Sequence, residues 1–304
     1  MRIDTRIGGI ATCNVNALPV IFDPFTCDFK GFIHMQVIGL CRFSYPALGG
    51  FQVGHDTIEE RMAYLYDDAR LEERFRLFET VALPCLKAQT DPDFELIVVI
   101  GDTLPQRHLD RLRDILATLP QARIRSEPPR QHREVMKEIL NSARDRHLPC
   151  LQFRFDDDDA VAVDFVERLR AASDDCFALT QQHRTIAFDW SRGLIAEYGP
   201  DGIAATEVFR PFDVAALGMY VRPRCPLTIM NYAHNKINRF MPTVSFDTKH
   251  MFVRGHNASN DSRQKGERPA DVTPLTPEGE TMFRTRFAID ADAVRQMFTR
   301  EGAP

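Results

Sequence analysis

The sequence predicts an α/β fold: a mixed, mostly parallel sheet flanked by helices. Two observations carry this expectation. Near-continuous apolar runs, MQVIGLCRF from Met35, FELIVVI at 94–100 and LQFRF at 151–155, have the length and composition of strands buried on both faces. Between them lie segments whose apolar residues recur at helical spacing, the alternation from which parallel sheets are built.

In chain order, a first strand at about 36–42 leads into a loop containing Pro46, Gly49 and Gly50. A helix follows at about 70–89, with Leu71, Phe75, Phe78, Ala82 and Leu86 on one face. The second strand, 94–100, is followed by an amphipathic helix at about 105–119 and a short strand at ARIRS, 122–126. A third helix spans 131–147 and stops before Pro149, and LQFRF is the next strand. Beyond it the pattern predicts a helix at about 162–173. Short strands then follow at FALTQ, TIAFDW, GLIAEYG and GMYVR, some of them antiparallel. Ser262–Pro277 is polar and proline-bearing, as in an exposed loop, and Asp290 is placed to cap a last short helix, ADAVRQMF. The expected organisation is an extension over 1–34, a main domain over 35–261, and a C-terminal loop and short helix over 262–304. Strand-quality sequence begins abruptly at Met35, so one reading starts translation there.

Composition narrows the function. The 304 residues are 44% hydrophobic and 27% charged, ordinary for a globular protein. A net charge of −5 from 43 acidic and 38 basic residues argues against a general nucleic-acid or membrane-surface binder. The seven cysteines (Cys13, Cys27, Cys41, Cys85, Cys150, Cys176 and Cys225) are odd in number and lack CxxC spacing, which points to a reducing, cytoplasmic setting. No apolar stretch has the length of a transmembrane helix.

The most informative segment is LQFRFDDDDAVAVDF, 151–165, where an apolar strand ends in four consecutive aspartates. Adjacent carboxylates repel, so such a run asks for a cation. In an extended continuation Asp156 and Asp158 project from the same side, and their oxygens are hard ligands suited to Mg²⁺ or Mn²⁺. A metal there would in turn hold phosphates. The alternative is a solvated acidic loop.

Several segments, in order, resemble GT-A-fold, family 2-like glycosyltransferases: QTDPDFELIVVIGD at 89–102, His132-Arg133 opening the third helix, and DDDD followed by AVAVDFVERL. More narrowly, LEERFRLFETVALPCLKAQTD and FVRGHNASND are similar to a rhamnosyltransferase family of bacterial proteins. The resemblance covers roughly 36–260. It implies transfer of a sugar, rhamnose in that family, from a nucleotide-diphosphate donor to a saccharide or lipid-linked acceptor, assisted by Mn²⁺ or Mg²⁺. A lipid-linked acceptor would bring the protein to the inner membrane face. Two departures limit the carry-over. The QxxRW signature of processive synthases is absent, and IGDT replaces the usual DDGS, which shifts Asp102 from its expected base-binding place.

Register on Asp164-Phe165 gives the residues their implied duties. Asp156, Asp158 and His256 are the metal candidates. Arg42, Asp102, Arg133, Asp156 and Asp159 are the donor-binding candidates, with Asp157 as the spacer. Arg42 and Arg133 read equally well as surface ion-pair partners, Arg74 as structural, and Trp190 as core. An inverting transfer needs a general base. Asp247 and Asp213 are candidates by region, and His183 and His234 follow them. Two other classes share a strand ending in D-x-D: a haloacid-dehalogenase-type phosphatase and a non-enzymatic divalent-metal-binding module.

Overall fold

The computed structural model describes residues 35–49, 55–256 and 270–299. The expected extension, 1–34, lies outside the described residues. Strand β1 (Gln36–Arg42) is followed by α1 (Ile58–Leu65), a short helix that the apolar pattern does not announce because it buries only Arg61 and Leu65. Helix α2 (Asp68–Leu77) passes through a π-helical turn at Phe78–Ala82 into α3 (Leu83–Lys87). Pro84 accounts for the widened turn, since it has no N–H to donate and its ring crowds the preceding turn.

Strand β2 (Glu95–Gly101), helix α4 (Gln106–Leu116), strand β3 (Ala122–Glu127), helix α5 (His132–Ala143) and strand β4 (Cys150–Asp156) complete the first half. Strand β5 (Ala160–Val161) comes directly after the aspartates, then α6 (Phe165–Asp175) and α7 (Phe177–Gln182). FALTQ is therefore helix, not strand. A run this short has no decisive period, and it continues the helical turn begun by α6. Four longer strands follow: β6 (Thr185–Trp190), β7 (Arg192–Gly199), β8 (Gly202–Phe209) and β9 (Leu217–Val221). Two 3-10 turns at Ile229–Asn231 and His234–Arg239 lead to β10 (Thr243–Phe246) and β11 (Phe252–Gly255). Beyond β12 (Thr273–Pro274) the C-terminal region holds α8 (Pro277–Phe287) and α9 (Ala291–Thr299), where one helix was expected. Asp290 Oδ1 accepts the N–H groups of Asp292 and Ala293 at the start of α9, the predicted cap.

The larger sheet has the order β10-β6-β9-β4-β1-β2-β3, and β4, β1, β2 and β3 are parallel. A smaller sheet runs β12-β8-β7-β11-β5. Strand alternation sorts the core. Val37 and Cys41 of β1, with Leu96, Val98, Ile100, Leu151, Phe153 and Phe155, face a cluster built on α2, α3, α4 and α6. Ile38, Leu40, Ile97 and Val99 face the other way, onto Val135, Met136, Ile139 and Leu140 of α5. Each large apolar side chain buried in this way contributes roughly 1.5–3 kcal/mol. Trp190 is such a residue, stacked on Phe246 at 5.2 Å and edge-on to Phe165 at 5.6 Å. Phe283 and Phe287 of α8, Val294 of α9 and Ile289 between them join the first cluster.

Candidate functional site

Because β1 and β4 are parallel neighbours, their carboxyl ends meet, with Arg42 and Asp156 as register partners and Leu40 opposite Arg154. Alternation points all four to the α5 face. There they line an open pocket with His132, Met136, Phe155 and Met230. Ligands of parallel sheets bind at this edge.

The chain then turns. Asp159 N–H bonds to the Asp156 carbonyl at 3.2 Å, so residues 156–159 form a tight turn, not the extended continuation expected. Asp157 and Asp158 consequently swing to the α2 face. Arg74 Nε donates to Asp157 Oδ2 and its Nη1 to Asp158 Oδ2, each at 3.1 Å. The reading of Asp157 as a replaceable spacer is corrected by this pairing, since its side chain is 1% exposed and bound to a buried guanidinium. Arg74, read as structural, is the cation seated on the aspartate turn.

Strand β11 holds the far side. Asp159 Oδ1 accepts the Gly255 N–H at 3.0 Å, and a Cβ on Gly255 would lie 2.4 Å from the Asp158 carbonyl oxygen. Only glycine permits that approach. The preceding residue, Arg254, pairs with Asp213 at 2.9 Å. The next, His256, has Nδ1 3.0 Å from Glu197 Oε1.

The electrostatics divide the run. Burial works against Asp156, yet Arg42, Arg154, Arg254 and Arg74 together hold its carboxyl below the ordinary range. Asp158 moves the other way: burial lifts it, Arg74 opposes, and Asp156 adds repulsion. Asp159 is pushed well above the ordinary range by burial and by Asp158. His132, part-buried, falls to about 3, chiefly through desolvation, with Arg42 and Arg154 adding to the shift and Asp156 opposing it.

The remaining expected residues are scattered, most of them along the same edge. Asp102, exposed after β2, donates its N–H to the Glu127 carbonyl. Arg133 is exposed on the first turn of α5, close enough to act on His132 and Arg154. Asp247 is exposed after β10. Asp213 is buried against Arg254. His183 precedes β6, whose start lies level with Cys150, at the opposite edge from the aspartates. Arg154, Arg254, His132 and Gly255 were not anticipated. The first two carry a signal in hindsight, as charges interrupting apolar strands.

A divalent cation suits part of this donor set. Asp159 Oδ2 and the Tyr198 hydroxyl are buried without a hydrogen-bond partner, and Asp158 and Asp159 are the carboxyls that a cation would relieve. Among the described residues no group of three His, Cys, Asp or Glu side chains forms a metal set by itself. Donor oxygens would have to complete the coordination.

A mostly parallel α/β sheet whose fourth strand delivers aspartates to its carboxyl edge, opposite arginines, is the arrangement of a GT-A-type glycosyltransferase. The chain belongs to the family described as "Putative rhamnosyl transferase", whose model matches residues 36–269. Among solved structures it is similar to S. aureus TarS 1-349 in complex with UDP, at 13% identity and a TM-score of 0.38, covering 73% of this chain and 61% of that one. The TarS 1-349 complex with UDP-GlcNAc gives 11% identity and a TM-score of 0.36, over 75% of this chain and 60% of that one. HddC from Yersinia pseudotuberculosis gives 10% identity and a TM-score of 0.32, over 72% and 93%. The chain thus spans about three fifths of the TarS fragment's length. No curated protein matches it. Among the described residues no helix is long and apolar enough to cross a membrane.

Proposed function

We propose that the protein transfers a sugar, rhamnose by its family, from a nucleotide-diphosphate donor to a saccharide or lipid-linked acceptor on the cytoplasmic side of the membrane. The observation that carries this reading is the convergence of Arg42, Arg154 and His132 on one pocket at the carboxyl edge, beside the aspartate turn. Breaking the sugar–phosphate bond leaves negative charge on the diphosphate. Guanidinium groups already in place at that spot stabilise it without reorganisation. Arg133 adds to the same field, and Asp102 stands one strand away for the nucleoside.

Mn²⁺ or Mg²⁺ would supply further charge neutralisation at the leaving group, with Asp156, Asp158 and His256 as candidate contacts that approach it from different faces of the turn and donor oxygens completing its coordination. His256 suits the task because Glu197 engages its Nδ1 and leaves Nε2 for a metal. Asp159, one oxygen anchored to Gly255 and the other buried without a partner, would reach the donor through the cation it helps to hold. Family membership favours this chemistry over the phosphatase and the passive metal module.

The test is a thermal-shift series with UDP and dTDP, with and without Mn²⁺. Stabilisation by a nucleoside diphosphate is expected to grow with Mn²⁺ and to lose that growth in Asp158→Asn while the fold persists. Stabilisation untouched by metal, by chelator and by Asp158→Asn would remove the metal from the proposal. Turnover of p-nitrophenyl phosphate without nucleotide binding would remove the transferase.

A further inference from the structure

We infer that His234 is the general base of the transfer, accepting the acceptor hydroxyl's proton on Nε2. The inference rests on the glycosyltransferase reading above and supplies the residue that reading lacks. It begins with Asp189, fully buried near the end of β6. One of its oxygens accepts from Ser191 Oγ at 2.7 Å and the other from the Phe212 N–H at 2.8 Å. Phe212 has a φ of 61°, in the left-handed region that a bulky side chain rarely occupies. Such a conformation persists where its surroundings fix it, and it concentrates at functional sites. What it achieves here is to aim the Phe212 carbonyl at His234 Nδ1, 2.7 Å away.

A carbonyl only accepts, so Nδ1 carries the hydrogen and Nε2 keeps its lone pair. The charged groups facing the ring are Arg154 from β4, Asp213 ahead of β9 and Arg254 from β11. Burial, with the two arginines, outweighs the Phe212 carbonyl and Asp213 and holds the imidazole below its ordinary value, so it is neutral at pH 7. Arg154 and Arg254 are also neighbours of Asp156, which places the ring at the same edge. Met230, in the 3-10 turn just before His234, lines the pocket of Arg42 and Arg154. The segment that leads into His234 therefore reaches the wall of the site.

The two aspartates expected in this role are less suited to it. Asp213 is already paired with Arg254, and Asp247 is exposed just after β10, a strand separated from β4 by β6 and β9. In the proposed step the acceptor oxygen forms a bond to the anomeric carbon as the sugar–phosphate bond breaks. The diphosphate departs with the electron pair, the hydroxyl proton passes to Nε2 and then to solvent, and the configuration inverts.

Two experiments on the full chain test this. Nitrogen NMR of the histidine ring at neutral pH should show His234 as the Nδ1–H tautomer, and an Nε2–H tautomer would overturn the proposal with no substrate required. The second measures nucleoside diphosphate release from dTDP-rhamnose and UDP-glucose, with p-nitrophenyl glycosides and water as acceptors. His234→Ala should slow release about 10²–10⁴-fold, leave the dTDP thermal shift intact and recover partly with added imidazole. Unchanged release in the variant, or loss of its dTDP binding, would overturn the base assignment and leave the transferase standing. Failure of the wild type to bind any nucleoside diphosphate would instead strike the transferase reading, with the tautomer still deciding the fate of His234.

Discussion

A single turn separates Asp156 from Asp159, yet their carboxyl groups are displaced in opposite directions. Burial lifts both. The sign is decided by neighbours: Asp156 lies across from Arg42 and beside Arg154, whereas Asp159 meets the like charge of Asp158 first and Arg254 second. Four identical residues in a row thus make two environments, one short of anions and one short of cations. A diphosphate suits the first and a metal ion the second.

The sharpest way to break this division is to remove the guanidinium that holds the turn. Arg74→Met leaves Asp157 and Asp158 buried without their partner and should cost about 3 kcal/mol, measured by urea denaturation. Adding Asp157→Asn should return part of that loss, and additive single effects would show that the pair does not couple. Gly255→Ala comes next. Its methyl group would push the Asp158 backbone off β11, with an expected loss of roughly 1–3 kcal/mol and a weaker Mn²⁺-dependent shift. Wild-type stability there would mean that the two strands part easily.

On the cationic side, Arg154→Gln should weaken nucleoside diphosphate binding about tenfold, a loss of about 1.4 kcal/mol, by calorimetry with dTDP. An equal loss of Mn²⁺ binding without nucleotide would blur the division. The smallest effect is a pH dependence. Above 6.5 His132 is neutral in both folded and unfolded chains, and its environment costs nothing. Between 6.5 and about 3 only the unfolded chain takes the proton, so stability falls as pH drops. His132→Gln should flatten that fall in a melting-temperature series across pH 4–7. An unchanged slope would show that burial and the neighbouring arginines do not depress His132.

Much of this was legible in the sequence because burial on both faces writes long apolar runs. Strands β1, β2 and β4, their parallel pairing and the delivery of aspartates to a sheet edge all follow from that. The turn at 156–159 was hidden, since four identical residues give no pattern to distinguish extension from reversal. Arg74 was hidden for another reason: one charge on an amphipathic helix looks like any solvated charge until its distant partner is in place. Helix α8 buries mainly Phe283 and Phe287, too few apolar positions to mark a helix. Asp189, Phe212 and His234 come together only through the pairing of β6 with β9, which no local segment encodes.

Strand β5 gives the aspartate turn an unusual mechanical position. The turn leaves β4 in the larger sheet and enters β5 in the smaller one, which pairs with β11. The site is therefore a splice between two hydrogen-bonded ladders, and its amides are protected only while both persist. Hydrogen exchange at 157–161 should follow global unfolding and not local fraying. A chain whose smaller sheet had yet to form would carry the whole acidic run and have nothing to bind with it.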